Sequence, residues 1–156
     1  MKTYSQLVND TLSEITEIFP WDLEEKLAAG DDVLLIDIRE PYEFDAMRVT
    51  GSLNVPRGIL ESACDWGYQE TVPELAAARD REVVVMCKSG NRSVLAAKVM
   101  ELMGFDKVVS LKTGLKGWND YELPLCDCNG NPVDIDEAEE FFADKVTREQ
   151  LGPKAR

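Results

Sequence analysis

The sequence predicts an α/β fold, with a mainly parallel sheet flanked by helices on both faces. Two observations carry this: short apolar, largely β-branched runs at Leu34–Ile38, Val83–Met86 and Val108–Leu111, and helical periodicity in the segments between them. Strands that alternate with helical patterns pair in parallel, because each crossover lays a helix over one face of the sheet. A chain of 156 residues is the natural size for one domain with a single layered core.

Taken in order, Tyr4, Leu7, Val8, Leu12 and Ile15 share one helical face, so residues 1–14 form an N-terminal extension whose amphipathic helix is expected to dock on the domain. Ile15–Ile18 reads as a short strand. Pro20 suits the first turn of a helix that runs to Ala29 and closes on Gly30. Leu34–Ile38 is the second strand and leads into Arg39–Phe44. Leu53–Pro56 is a short extended piece, Gly58–Ala63 opens a helix, Cys64–Tyr68 interrupts it, and Pro73–Arg79 is helical again. After the strand Val83–Met86, Leu95, Val99 and Leu102 recur at helical spacing until Gly104, a residue suited to a left-handed cap. Val108–Leu111 is the fifth strand, and Thr113–Trp118 leads away from it.

Cys87 is the focus of this pattern. It stands at the carboxyl end of a buried strand, just ahead of a helix, which in open α/β sheets is the crevice where ligands bind. A helix start offers unpaired amides and the positive end of a dipole, and both favour a thiolate, the reactive form of cysteine. Gly90 can adopt backbone angles closed to other residues, so the amides after Cys87 can curl towards one point. Lys88 and Arg92 flank the sulfur and are expected to add positive charge to this cup.

Composition narrows the chemistry. The formal net charge of −13 argues against nucleic acid or an anionic membrane as partner. Histidine is absent, which removes Cys-His hydrolysis and the common zinc sites, and neither metal nor cofactor is expected. Cys64, Cys87, Cys126 and Cys128 are too few and too irregular for a disulfide scaffold. The first residues lack the apolar core of a signal peptide, so a cytoplasmic protein is expected.

From residue 125 to 156 the chain reads as an acidic C-terminal extension: nine acidic residues and no lysine or arginine lie between Asn119 and Asp144. Asp134–Lys145, with acids early and a lysine late, is expected to be a short helix. Asp127, Asn129 and Asn131 invite comparison with a calcium loop, but Pro132 and Ala138 occupy the positions that need glycine and glutamate. Cys126 and Cys128 are expected to be incidental, against a relay or a disulfide with Cys87.

Four stretches together resemble the rhodanese family of sulfurtransferases. Leu34–Glu43 is similar to its L-L-I-D-x-R-E-P-x-E element, Gly51–Pro56 to G-A-x-N-I-P, Cys87–Ser93 to the C-x-x-G-x-R-S loop, and Leu111–Trp118 to L-x-G-G-L-x-x-W. Thr113 stands where the first glycine of that last pair is usual, and Arg48 where many relatives carry histidine. The resemblance spans residues 15–124 and implies a rhodanese-like fold with a five-stranded central sheet. It further implies that Cys87 takes a sulfane sulfur from thiosulfate or a persulfide donor and passes it to cyanide, a thiol or a protein. Lys88, Ser89, Gly90, Asn91, Arg92 and Ser93 would cradle the persulfide. Asp37 and Arg39 are expected to pair and hold the segment after the second strand against the Cys87 loop.

Two other readings compete. Related cysteine phosphatases and arsenate reductases share this fold, but four residues separate Cys87 from Arg92 where the phosphatase pattern has five, and the loop holds no acid to protonate a leaving group. A sulfur carrier that docks protein partners through its extensions is the intermediate case.

Overall fold

A five-stranded, all-parallel sheet is the framework of the computed structural model, which describes residues 1–153. The strands are β1 (Glu17–Ile18), β2 (Val33–Asp37), β3 (Leu53–Asn54), β4 (Glu82–Met86) and β5 (Val108–Leu111), in the order β1-β5-β4-β2-β3. The helices are α1 (Tyr4–Leu12), α2 (Pro20–Ala28), α3 (Pro41–Ala46), α4 (Leu60–Ala63), α5 (Pro73–Ala76), α6 (Asn91–Leu102), α7 (Gly114–Asp120) and α8 (Ile135–Phe142). None of the described helices is long and apolar enough to cross a membrane.

Alternation along the central strands builds two cores. Leu34, Ile36, Val83 and Val85 face one side with Leu60, Leu75, Ala97 and Met100, whereas Leu35, Val84 and Met86 face the other with Leu23, Leu115 and Trp118. A parallel sheet covered on both faces needs near-continuous apolar strands, as these are. Leu125, Ala138 and Phe142 of the C-terminal stretch belong to the second core. An antiparallel bridge between Arg48 and Cys126 ties that stretch to the segment after α3.

The register places Asp37 of β2 opposite Met86 of β4. Because β3 lies to one side of β2 and β4 to the other, the order of strand connection reverses at this point, the kind of switch point beyond which open α/β sheets bind ligands. Cys87 is the first residue past β4.

Several boundaries differ from expectation. The helix read from the spacing of Leu95, Val99 and Leu102 is α6, but those residues do not mark its buried face: Leu102 is 76% exposed, and Ser93, Val94, Ala96, Ala97 and Met100 are the buried residues. Apolar residues surround most of α6, so spacing alone does not single out a face. The outward side of α6 receives α1, which docks on its own domain. α5 stops at Ala76, short of Arg79, and α8 ends at Phe142, leaving Lys145 outside the helix. α3 and α7, written above only as segments leading away from strands, are short helices that begin at Pro41 and at Gly114.

Candidate functional site

The loop after β4 wraps around one sulfur. Cys87 Sγ accepts the amide N–H of Gly90 at 3.1 Å and that of Ser93 at 3.4 Å. The Ser93 hydroxyl lies 3.3 Å from the same sulfur and 2.7 Å from the hydroxyl of Ser110 on β5. Gly90 caps α6 at φ 90°, the left-handed region that lets its N–H turn back onto the sulfur. The first turn of a twelve-residue helix therefore points its positive end at Cys87.

Cys87 is 1% exposed, so its sulfur trades water for fixed N–H and O–H dipoles. Cys64 is also buried, but no described group donates to its sulfur, and burial pushes its thiol up to about 12.

A second helix start holds the loop from behind. Leu115 N–H donates to the Cys87 carbonyl and Lys116 N–H to the Lys88 carbonyl, each at 2.9 Å. This approach leaves no room for a side chain at Gly114, whose added Cβ would strike both carbonyls, and Gly114 itself sits at φ 62°. Thr113, in the place of the family's usual first glycine, is left-handed too at φ 66°. The short Leu111–Trp118 stretch is thus a clamp on the Cys87 loop.

The two flanking cations are not free. Arg92 forms a two-pronged pair with Glu43 of α3, and Lys88 reaches Asp144 at 3.0 Å just beyond α8. Of the two roles open to these cations, attracting an anion or holding the loop, their ion pairs fit the second, and the donors aimed at Sγ are the Gly90 and Ser93 amides. Burial opposes ionisation of Glu43, but hydrogen bonds from Arg92 and the Glu40 amide, with the charges of Arg92 and Arg39, hold its carboxyl below the ordinary value. The hydrogen bond to Lys88 and the charges of Lys88 and Lys116 hold Asp144 low. Arg92 is raised, first by the Glu43 hydrogen bond and in lesser part by Cys87.

Asp37 and Arg39, both fully buried, form a bidentate pair with contacts of 3.0 and 2.7 Å. Arg39 also donates to the carbonyls of Glu43 and Met47, at the end of α3. The pair touches no residue of the Cys87 loop among these bonds. It fixes α3, and α3 presents Glu43 to Arg92. Ser89 and Asn91 are exposed and line a groove with Val8, Asn9 and Leu12 of α1.

The sequence reading missed Glu43, Ser110, Asp144 and Tyr4 as neighbours of the site. Glu43 lay within a quoted motif, a buried acid with no assigned partner. Ser110, a small hydroxyl residue in an apolar strand, becomes distinctive only once β5 is paired with β4. Asp144 offered no signal. Tyr4, on the helix that packs against α6, is raised by partial burial and by the Cys87 charge, against which Arg92 acts. All four cysteines are free, and the described residues contain no metal-binding group of side chains.

The match to known proteins follows this geometry. A family model described as a rhodanese-like domain matches residues 20–121. A sulfurtransferase of Allochromatium vinosum is 31% identical over 111 residues, covering 71% of this chain and 94% of that protein. The thiosulfate sulfurtransferase GlpE of Glaesserella parasuis is 28% identical, covering 76% and 96%. Among solved structures, a Rhodopseudomonas palustris protein of unknown function, described as a possible tyrosine phosphatase, superposes with a TM-score of 0.71 at 29% identity, covering 80% of this chain and 94% of that one. Four motifs in order, a parallel sheet with its cysteine loop at the switch point, and relatives named for sulfur transfer agree: this chain belongs to the rhodanese-like domain family.

Proposed function

We propose that the protein is a sulfurtransferase that carries a sulfane sulfur on Cys87. In the first step the Cys87 thiolate attacks the outer sulfur of thiosulfate or a persulfide; the donor's S–S bond breaks and sulfite or a thiolate leaves with the electron pair. The Cys87 persulfide then holds its negative charge on the terminal sulfur. In the second step cyanide, a thiol or a protein acceptor attacks that atom, and Cys87 departs as thiolate.

The single observation that carries this reading is the convergence of the Gly90 and Ser93 amides and the Ser93 hydroxyl on one buried sulfur. Fixed dipoles stabilise a charged sulfur without solvent having to reorganise. Lys88, Ser89 and Asn91 form the rim, and Arg92 is held by Glu43 and so shapes the loop. Asp37 and Arg39 act through α3, which carries Glu43. An exposure of 1% at Cys87 restricts direct attack to the tip of a small donor, as the outer atom of thiosulfate is. A cytoplasmic setting belongs to this proposal, because free thiols persist where the medium is reducing.

Phosphoester hydrolysis is the competing reading, raised by the description of the Rhodopseudomonas palustris neighbour. The short span from Cys87 to Arg92 and the guanidinium's engagement by Glu43 weigh against it, since a phosphoryl group needs donors for three oxygens. Parallel assays distinguish the two. Sulfur transfer from thiosulfate to cyanide or to a thiol, with no hydrolysis of an aryl phosphate, is expected; hydrolysis dependent on Cys87 would overturn the proposal. Faster discharge to a protein acceptor than to small thiols would place it as a carrier within sulfur transfer.

A further inference from the structure

Behind Cys87 lies a polar pair that the loop motif does not account for. Ser93 of α6 and Ser110 of β5 are both 0% exposed, and their hydroxyl oxygens are 2.7 Å apart. Among the described residues the Ser110 hydroxyl has no other hydrogen-bonding partner, and the Ser93 hydroxyl has only Ser110 and Cys87 Sγ. Parallel pairing of β4 and β5, with Val85 opposite Ser110, brings the serine beside the end of the strand that carries Cys87.

We infer that Ser110 is a positioning residue: it holds the Ser93 hydroxyl as a donor to Cys87 Sγ and so stabilises the ionised sulfur. The count of hydrogens gives the reason. Three groups in a row make two contacts. With the sulfur protonated there are three hydrogens for those two contacts, and one is always without a partner. With the sulfur ionised there are two, and both are placed: Ser110 O–H donates to Ser93 Oγ, and Ser93 O–H donates to Sγ. Both dipoles then point at the charge, and the outer one strengthens the inner. Burial keeps water from substituting for either hydroxyl.

This deepens the sulfurtransferase proposal, on which its catalytic meaning rests. The free Cys87 thiolate is both the nucleophile of the first step and the leaving group of the second. In the persulfide the charge moves to the outer sulfur, within reach of the loop, while the serine pair remains behind Sγ. Ser110 therefore favours release of the sulfur to an acceptor.

The test is the pH dependence of Cys87 alkylation by iodoacetamide, read on the Cys87 peptide by mass spectrometry in the full chain. Ser110→Ala is expected to raise the midpoint by about half a pH unit, roughly threefold less thiolate below the midpoint. Ser93→Ala should raise it further, and Ser93→Ala combined with Ser110→Ala no further than Ser93→Ala alone, because Ser110 acts through Ser93. Ser110→Thr, which keeps a hydroxyl, should retain the wild-type midpoint. An unchanged midpoint in Ser110→Ala, or a shift that persists without Ser93, overturns the inference. Intact-mass measurement of sulfur uptake on the wild type tests sulfur transfer separately, so a chain that takes up no sulfur yet shows these shifts would sink the proposed function alone.

Discussion

Arg92 and Glu43 are joined by two parallel contacts, Nη1 to Oε2 at 2.9 Å and Nη2 to Oε1 at 3.1 Å. The pair links the first turn of α6, which holds the Cys87 loop, to α3, which Arg39 holds against the end of β2. The Arg92 charge, which sequence alone leaves free either to attract an anion or to hold the loop, is engaged here in holding two elements together.

Glu43→Gln is expected to lower stability by about 1–2 kcal/mol at neutral pH, a figure discounted because Arg92 is a third exposed. Since the folded-state value of Glu43 is depressed, its contribution is present above the unfolded value of about 4.3 and is lost as pH falls through the lower folded value. Denaturant midpoints of the two proteins should therefore converge on acidification. A gap that stays constant would show that the pair is not its source.

Arg39→Lys keeps the charge but loses the fork that serves Asp37 and two carbonyls at once. Breaking a fully buried pair of this kind costs about 3–5 kcal/mol. Thermal unfolding checks this, and a lysine variant as stable as the wild type would mean that charge alone is sufficient at this position.

Gly114→Ala drives a methyl into the carbonyls of Cys87 and Lys88 at a left-handed backbone position. The expected loss is about 1–3 kcal/mol, with sulfur uptake impaired as the clamp from Leu115 and Lys116 shifts. Gly58→Ala is the control: nothing lies within 4 Å of its added Cβ, and a change within about 0.5 kcal/mol is expected. Equal denaturant midpoints for the two variants would remove the close approach as an explanation.

Asp144 is exposed and holds Lys88. Freeing the lysine by Asp144→Asn should leave the thermal midpoint unchanged and lower KM for thiosulfate about two- to fivefold at low ionic strength, with the difference fading as salt screens it. A KM that does not respond would place Lys88 outside the donor's path.

The Cys87 loop was legible because its signals are local: an apolar strand, a cysteine, a glycine and a helix start within eleven residues. The alternation of strands and helices likewise foretold the parallel sheet. What escaped was the set of partners. Glu43 meets Arg92 across 49 residues, and Asp144 meets Lys88 across 56, separations at which sequence carries no pairing signal. Ser110 reads as an ordinary strand position until β5 is laid beside β4. The buried face of α6 was not legible from its leucines, because Ala96 and Ala97, small residues that permit close packing, outrank Leu102 for burial.

The central claim is that Cys87 carries the sulfur. Incubation with thiosulfate followed by intact-mass measurement tests it most directly. The account predicts a gain of one sulfur atom that is abolished in Cys87→Ser and kept in Cys126→Ser and Cys128→Ser; a gain that survives loss of Cys87, or that follows Cys126 or Cys128, would contradict it.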